Sequence, residues 1–185
     1  MGSEMCIRDS YFFTGNHDLW MKSYFQDEYD IPVYRNPITK TIHGKDLHLG
    51  HGDGLGPGDY KYKIMKKVFT NSACQAAFGL LPSSVGFGAM KFFSKRSREK
   101  YKEPVQFLGD KKESLIVYAR DYLSNHNIDF FLFGHRHLPI DYTLEGKKSR
   151  YINLGEWLSF RSFAVMDNGD LQLKFWKNSN GKIFG

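Results

Sequence analysis

The sequence predicts an α/β domain that is interrupted by a helical segment. Short apolar runs typical of buried strands alternate with helical patterns in the first and last parts of the chain, whereas the middle part has helical spacing throughout. With 185 residues, of which 41% are hydrophobic, the chain is long enough for one domain with its own core. It has two cysteines and no apolar leader, which favours an intracellular protein without disulfide bonds.

The individual strands and helices follow in order from these patterns. The segment 128–133, "IDFFLF", has the continuous apolar character of a strand that is buried on both faces. Strands are predicted at residues 11–13, 31–34, 38–42, 47–50, 128–133, 140–144, 149–153, 161–166 and 171–176, with tight turns at 43–46, "EGKK" and "DNGD". Helices are predicted at residues 19–28, 60–69, 71–81, roughly 84–97, and from Pro104 to about Asn125.

The net charge of +6 is concentrated in the helical segment. Residues 58–103 carry ten basic and three acidic side chains, a local balance of +7, so the rest of the chain is close to neutral. Residues 68–90 contain no charged side chain, but their polar residues and proline make a membrane span costly. We therefore expect a helical cap with an apolar inner face and a cationic rim, suited to a lipid interface. A helical hairpin packed on the core is the alternative.

Polar side chains follow three of the predicted strands, and each group is introduced by a glycine. "TGNHD" supplies Asn16 and His17, "LGHGD" supplies His51, and "FGHRH" supplies His135 and His137. Because the carboxyl ends of strands in an open α/β sheet form one rim, we expect these groups to meet. Imidazole nitrogens and amide oxygens are good ligands for a first-row transition metal, and carboxylates would complete such a site.

The other histidines described by these patterns have ordinary structural interpretations. His43 lies in a hairpin turn, and His48 alternates with leucines on a strand. His126 ends a helix, where a positive charge is favourable. We expect none of the three to bind a metal.

The ordered motifs GNHD, GHGD and GHRH, each at the end of an apolar strand, resemble those of the calcineurin-like metallophosphoesterases. The resemblance implies a four-layer α/β/β/α sandwich with a two-metal site. It implies that Asn16, His51 and His135 bind the second metal and that His137 binds the first. His17 would stand beside the scissile phosphate. Members of the narrower family described below can have Arg at this place, which implies a role of charge rather than proton transfer.

The motifs DxH and GD of that family precede GNHD on two further strands. Residues 1–10, "MGSEMCIRDS", supply neither and resemble translated sequencing-adapter DNA, so we expect a non-native leader followed by a single domain at 11–185. A pair of cations needs a bridging carboxylate to offset its repulsion. We therefore expect the complete protein to be an enzyme and this chain alone to be inactive. Asp18 either orients His17 or caps the helix that begins near Leu19.

With "TGNHDLWM", "LGHGDGLGPGD" and "SKRSREK", residues 11–176 are similar to the UDP-2,3-diacylglucosamine diphosphatase family. That resemblance implies hydrolysis of the pyrophosphate of UDP-2,3-diacylglucosamine to UMP and 2,3-diacylglucosamine 1-phosphate in lipid A biosynthesis, with two divalent metal ions, manganese in that family. It implies a cytoplasmic protein on the inner face of the bacterial inner membrane, whose partners are the acylated UDP-sugar and the anionic membrane surface, without nucleic acid. The candidate substrate-binding residues, in the cap, are Phe92, Phe93, Lys95, Arg96 and Arg98.

Two other classes of function remain open at the level of sequence. Another calcineurin-like phosphoesterase, such as a nucleotidase or a protein phosphatase, would share the motifs but would not need an apolar cap. A non-enzymatic module that binds an anionic membrane or nucleic acid would use the basic segment. Its aromatic residues, however, are interleaved with glycine and alanine as in packed helices, not arranged as base-stacking platforms.

Overall fold

The computed structural model describes residues 10–100, 106–144, 146, 148–177, 179 and 181–185, with Phe93 and residues 96–100 described by their backbone alone. The chain divides into two compact units. The body comprises Met1–Gly58 and Phe107–Gly185, and the helical unit comprises Asp59–Gln106. The expectation for residues 1–9, a non-native leader, lies outside the described residues.

The described part of the body contains nine strands and two helices. The strands are β1 (Phe12–Phe13), β2 (Val33–Tyr34), β3 (Ile38–Ile42), β4 (Lys45–Leu49), β5 (Phe130–Phe133), β6 (Pro139–Thr143), β7 (Arg150–Leu154), β8 (Ser162–Asp167) and β9 (Asp170–Phe175). The helices of the body are α1 (Tyr24–Tyr29) and α5 (Ser114–Tyr122), and those of the helical unit are α2 (Tyr60–Thr70), α3 (Ser72–Gly79) and α4 (Ser83–Lys100).

A mixed sheet of five strands forms the centre of the body, in the order β3-β4-β5-β7-β6. The three central strands β4, β5 and β7 are parallel, and the outer strands β3 and β6 pair antiparallel to β4 and β7. Two smaller sheets accompany it, a parallel pair of β1 with β2 and an antiparallel pair of β8 with β9. The predicted α/β class with a central sheet is confirmed.

The central strand β5 is buried on both faces, as its sequence predicts. Phe131 and Phe133 are fully buried and pack in one core cluster with Leu115 and Ile116 of α5. Phe130 points to the opposite face and joins a second cluster with residues of β4, β7 and β9. The alternation of a strand therefore distributes consecutive phenylalanines between two cores.

Two of the predicted hairpin turns have the conformation that their sequences require. His43 and Gly44 between β3 and β4 have φ values of 50° and 72°, and Asn168 and Gly169 between β8 and β9 have φ values of 48° and 82°. Two successive residues with positive φ match the twist of the flanking strands, which explains the glycine in each turn.

The first helix was predicted to begin at residue 19, and this start is wrong because the helix begins at Tyr24. The structure forms only α1, because two successive turns precede it. In the turn over residues 15–18 the Asp18 N–H donates to the Gly15 carbonyl at 3.1 Å, and in the turn over residues 18–21 the Met21 N–H donates to the Asp18 carbonyl at 2.9 Å. Asp18 lies five residues before Ser23, the N-cap of α1, so it does not cap this helix.

The helix predicted from Pro104 to about Asn125 is also shorter than expected. It begins at Ser114 and ends at Tyr122. Gly109 has a φ of 83° and Glu113 is extended, so the chain between them turns before the helix starts. The Glu113 carboxylate accepts the Leu108 N–H at 3.0 Å, which holds that turn closed.

The three helices of the helical unit lie close to the predicted ranges. Asn71 caps α3, where its side-chain oxygen accepts the N–H groups of Ala73 and Cys74 at 3.0 and 3.1 Å. Neither α2 nor α3 has a buried residue. Over the described ranges, the structure contains no helix with both the length and the apolar content needed to cross a bilayer.

Candidate active site

Two candidate ligands lie at the same edge of the central sheet because their strands are parallel neighbours. His51 follows β4 and His135 follows β5, each at the second position beyond the strand end. The His51 carbonyl accepts the N–H groups of both Gly134 and His135, at 3.0 and 2.9 Å. The main chain therefore joins the two loops beyond the last paired residues of the strands.

The third candidate ligand comes from the smaller parallel sheet. Asn16 follows β1 and is half-buried, and its side-chain oxygen lies 3.3 Å from Nε2 of His51. The His51 and His135 rings are 5.4 Å apart between centroids, with planes at 70°. The structure thus brings Asn16, His51 and His135 together from three separate segments, as the sequence predicts.

Glycines on either side leave room for the His51 ring. A Cβ added at Gly15 would lie 3.0 Å from Cε1 of His51, and one added at Gly134 would lie 3.9 Å from Nδ1 of the same ring. Gly52 has a φ of 103°, and a Cβ there would lie 3.1 Å from the Leu115 side chain. The glycine before Asn16 is therefore explained by the packing of the His51 ring, and Gly52 by its positive φ and its contact with Leu115.

His135 is held in its neutral form. Burial lowers its pKa to about 4, and the neighbouring His51, His137 and Arg136 act in the same direction, while the buried carboxyl group of Asp53 opposes them. At neutral pH the ring keeps a nitrogen lone pair, which is the form that binds a metal.

His137 and His17 are the most exposed of the candidate groups in the body. His137 has a φ of 53° and donates its backbone N–H to the Gly134 carbonyl at 3.4 Å, so it closes the turn that begins at Gly134. His17 lies in the turn after Asn16 with its side chain exposed. Exposure suits a group that would meet a substrate from solvent.

Within the described ranges, no group of three or more His, Cys, Asp or Glu side chains is arranged to hold a metal ion. The convergent set contains two imidazoles and one amide, so it supplies two residues of the kinds in such a group, both histidines, and no carboxylate. The arrangement therefore offers a partial set of donors for a metal ion.

The candidate substrate-binding residues belong to α4 in the helical unit. Phe92 has 60% of its surface exposed, and Lys95 is also exposed. The side chains of Phe93, Arg96 and Arg98 lie outside the described part of the structure, although their backbone is helical.

Sequence reasoning did not identify the residues that support the GHRH turn. Arg136, between the two histidines, forms an ion pair with the fully buried Glu113, and its N–H donates to Asn153 at 3.4 Å. A charged residue between two candidate ligands could have been recognised from the sequence as a possible supporting residue, and Arg136 is that residue. Glu113 and Asn153 are far from the motif in sequence and carry no such signal.

Comparison with protein-family models gives no match. Among curated proteins, the chain is 33% identical to the UDP-2,3-diacylglucosamine hydrolase of Porphyromonas gingivalis, over 89% of this chain and 67% of that protein. It is 24% identical to the protein of that name from Aeromonas salmonicida, over 89% of this chain and 64% of that protein. For the protein of that name from Hamiltonella defensa, the identity is 26%, over 73% of this chain and 52% of that protein.

The chain thus spans between about half and two thirds of the length of these curated relatives. The predicted resemblance to the UDP-2,3-diacylglucosamine diphosphatase family is confirmed by the shared name of these relatives. Since it covers 67% of the Porphyromonas gingivalis protein at 33% identity, the chain belongs to the UDP-2,3-diacylglucosamine hydrolase family.

Proposed function

We propose that the protein hydrolyses the pyrophosphate bond of UDP-2,3-diacylglucosamine, giving UMP and 2,3-diacylglucosamine 1-phosphate in lipid A biosynthesis. The observation that carries the proposal is the convergence of Asn16, His51 and His135 at one edge of the sheet in a member of this hydrolase family. The reaction adds one water molecule across a P–O–P linkage, so one phosphorus gains an OH group and the other phosphate leaves.

The residues present fit divalent metal ions, and manganese is the metal we propose for the two-metal site. Nε2 of His51 and the side-chain oxygen of Asn16 already face one another at 3.3 Å, and the low pKa of His135 keeps its ring available as a ligand. His137, in the same turn as His135, would serve the other metal. When bound, the metals acidify water and neutralise the charge that gathers on the phosphoryl oxygens.

Asn16, His17 and the backbone of His51 would each have a separate role in the reaction. Asn16 supplies an oxygen ligand without adding negative charge, so the site keeps a net attraction for an anionic substrate. His17, exposed beside Asn16, would lie next to the scissile phosphate and stabilise it by charge or by donating a proton. The backbone bonds from His51 to Gly134 and His135 hold the ligand loops in place before substrate binds.

For the architecture, we propose the four-layer α/β/β/α sandwich of the metallophosphoesterases, with residues 11–185 as one domain and the cap at about 58–103. The mixed central sheet with separate small sheets supports this assignment. The assignment of the four layers is part of the proposal.

We further propose that the helical unit covers the acyl chains of the substrate. Large apolar side chains on α2, on α4 and in the segment after α3 are exposed, and α2 and α3 have no buried residue. Among the side chains that the structure describes in this unit, the exposed large apolar ones are Tyr60, Ile64, Met65, Val68, Leu80, Leu81, Val85, Phe87, Met90 and Phe92. Phe92 and Phe93 would contact lipid, and Lys95, Arg96 and Arg98 would contact phosphate.

The same surface supports a peripheral location on the inner face of the bacterial inner membrane. Exposed apolar residues interleaved with Lys61, Lys63, Lys66 and Lys67 are typical of a helix that lies at an anionic interface. We therefore propose a cytoplasmic protein whose partners are the acylated UDP-sugar and the membrane surface.

The proposed substrate is tested with the protein expressed from its complete reading frame. Release of UMP from UDP-2,3-diacylglucosamine is compared with hydrolysis of a nucleoside monophosphate and of a phosphopeptide, each with Mn²⁺. We expect turnover of the acylated UDP-sugar to exceed both by orders of magnitude. Equal or faster turnover of the nucleotide or phosphopeptide would replace this proposal with a nucleotidase or a protein phosphatase. Liposome binding without any hydrolysis would indicate a membrane-binding module.

A further inference from the structure

Glu113 is a fully buried carboxylate that accepts hydrogen bonds from two separate segments. Arg136 donates from Nε to Oε2 at 2.8 Å and from Nη2 to Oε1 at 3.0 Å, and the Leu108 N–H donates to Oε1 at 3.0 Å. Two parallel bonds fix the plane of the guanidinium group as well as its position. Glu113 thus holds the chain before α5 against the turn that carries His135 and His137.

A second buried group holds the same turn from the side of β7. Asn153 is fully buried, its side-chain oxygen accepts the Arg136 N–H at 3.4 Å, and its side-chain nitrogen donates to the Leu138 carbonyl at 2.7 Å. The backbone immediately before and after His137 is therefore bound to one amide. Together with the bonds from the His51 carbonyl, these contacts restrain the whole GHRH turn.

The burial of this ion pair needs a reason other than stability. Removing a carboxylate from water is costly, and apolar residues of similar volume commonly give equal or greater stability than a buried ion pair. Glu113 is 0% exposed and the Arg136 side chain is 22% exposed, so the pair is of this kind. What a bidentate ion pair provides, and apolar packing does not, is a fixed direction for the residue that carries it.

We propose that Glu113 and Arg136, supported by Asn153, are positioning residues that hold the imidazoles of His135 and His137 in ligand geometry. The inference rests on the proposed function of this site, because it assigns the purpose of the pair to metal binding. Arg136 is anchored inward by Glu113, and the residues on either side of it carry the imidazoles. The pair acts on the metal through the backbone of the turn, and neither residue contacts the metal.

The test replaces both partners by apolar residues, in the variant Glu113→Leu/Arg136→Met. Because no charge is left buried alone, we expect the thermal unfolding midpoint to stay near that of the unmodified protein. We expect the affinity for Mn²⁺, measured by titration with the metal alone, to fall by about 10-fold or more, as losses of supporting contacts around metal ligands do. The NMR signals of the His135 and His137 imidazoles in the metal-free protein should shift or broaden.

A matched control removes another ion pair that involves α5. Arg120 donates to Asp110 at 2.7 Å, with about the same exposure on both side chains, 31% and 30%. The variant Asp110→Leu/Arg120→Met removes this pair and leaves the described side-chain contacts of the GHRH turn in place. We expect it to leave the affinity for Mn²⁺ and the two imidazole signals unchanged.

Arg136→Lys supplies the second variant, which keeps the charge but lacks the two-pronged bond. If the apolar double variant does not fold, the Mn²⁺ affinity and the imidazole signals are measured on Arg136→Lys instead, and we expect the same changes. A folded variant with imidazole signals and Mn²⁺ affinity like those of the unmodified protein would overturn the positioning role. If the unmodified protein took up no Mn²⁺, the proposed metal centre would fail, and the imidazole signals alone would decide the role of the pair.

Discussion

The carbonyl of His51 accepts the backbone N–H of His135 at 2.9 Å, and the two imidazole rings stand 5.4 Å apart between centroids. This backbone bond continues the pairing of β4 with β5 past the strand ends. The ring positions are therefore set by main-chain geometry and by the glycines that surround them. A substitution that crowds the His51 ring, as at Gly15, should alter the site before it alters the fold.

Gly15→Ala should weaken metal binding without unfolding the protein. The added Cβ would lie 3.0 Å from Cε1 of His51, closer than ordinary van der Waals contact, so the ring must move away. We expect the affinity for Mn²⁺ to fall by about 10-fold. Calorimetric titration with Mn²⁺ and thermal unfolding of the same preparation measure the two effects separately.

Gly134→Ala is the matched control on the same ring. Its Cβ would lie 3.9 Å from Nδ1 of His51, which is ordinary contact, so the affinity should change much less. Equal losses of affinity in the two variants would show that steric displacement of His51 is not the cause.

Stability should decrease as the pH falls from about 6.5 towards 4, partly because of His48. Burial lowers the pKa of this ring to about 4 from an ordinary 6.5, with His126 acting in the same direction. In that pH range the unfolded chain binds the proton and the folded chain does not, so unfolding is favoured as the pH falls. The slope contributed by one such histidine is at most about 1.4 kcal/mol per pH unit.

The contribution of His48 is isolated by His48→Gln. The native ring lies 3.0 Å from both Thr39 Oγ1 and the Tyr118 hydroxyl, so the variant should lose about 1–3 kcal/mol at neutral pH. Urea unfolding at a series of pH values should give a flatter dependence for the variant, while His135 retains its own share. A slope identical to that of the unmodified protein would assign the pH dependence to other groups.

The sequence predicts those parts of the structure that local pattern determines. Phe130, Phe131 and Phe133 alternate between two cores as a doubly buried strand requires, and the Asn168–Gly169 turn needs positive φ at both positions. The start of α5 could not be predicted in this way. Glu113, the residue before this helix, contacts Leu108 and Arg136, and contacts of this kind leave no periodic pattern in the sequence.

In the candidate site, too, the features that follow from local sequence pattern were predictable and those that depend on tertiary contacts were not. The convergence of Asn16, His51 and His135 was predictable because each follows a strand whose end the sequence marks with a glycine. The supporting residues Glu113 and Asn153 were not predictable, because a buried polar side chain leaves no periodic signal. Their partners are defined only once the sheet brings β5 and β7 together.

Removing the helical unit should separate lipid recognition from phosphate chemistry. In the protein from the complete reading frame, residues 60–102 are replaced by a short Gly-Ser linker. Hydrolysis of a small phosphodiester should remain within about 10-fold of the unmodified rate, whereas activity on the diacylated UDP-sugar should be lost, because remote binding energy is lost with the cap. Both rates are measured under the same Mn²⁺ conditions.

The control for this deletion is a check of the fold by thermal unfolding and by the His51 and His135 imidazole signals. If a folded deletion variant lost both activities equally, the helical unit would be a structural part of the enzyme and the assignment of a lipid substrate would lose its support.

The most direct test of the metallohydrolase assignment is Mn²⁺-dependent release of UMP from UDP-2,3-diacylglucosamine by the protein from its complete reading frame, with and without His135→Ala. Removing this ligand from a two-metal site should lower turnover by about 100-fold or more while the unfolding midpoint stays close to normal. His126→Ala is the control, because that exposed ring contacts Tyr122 at the end of α5 and is not one of the candidate ligands, and it should keep full activity. Normal, metal-dependent turnover in a folded His135→Ala variant would contradict the assignment of this histidine, and with it the metal centre proposed at this edge of the sheet.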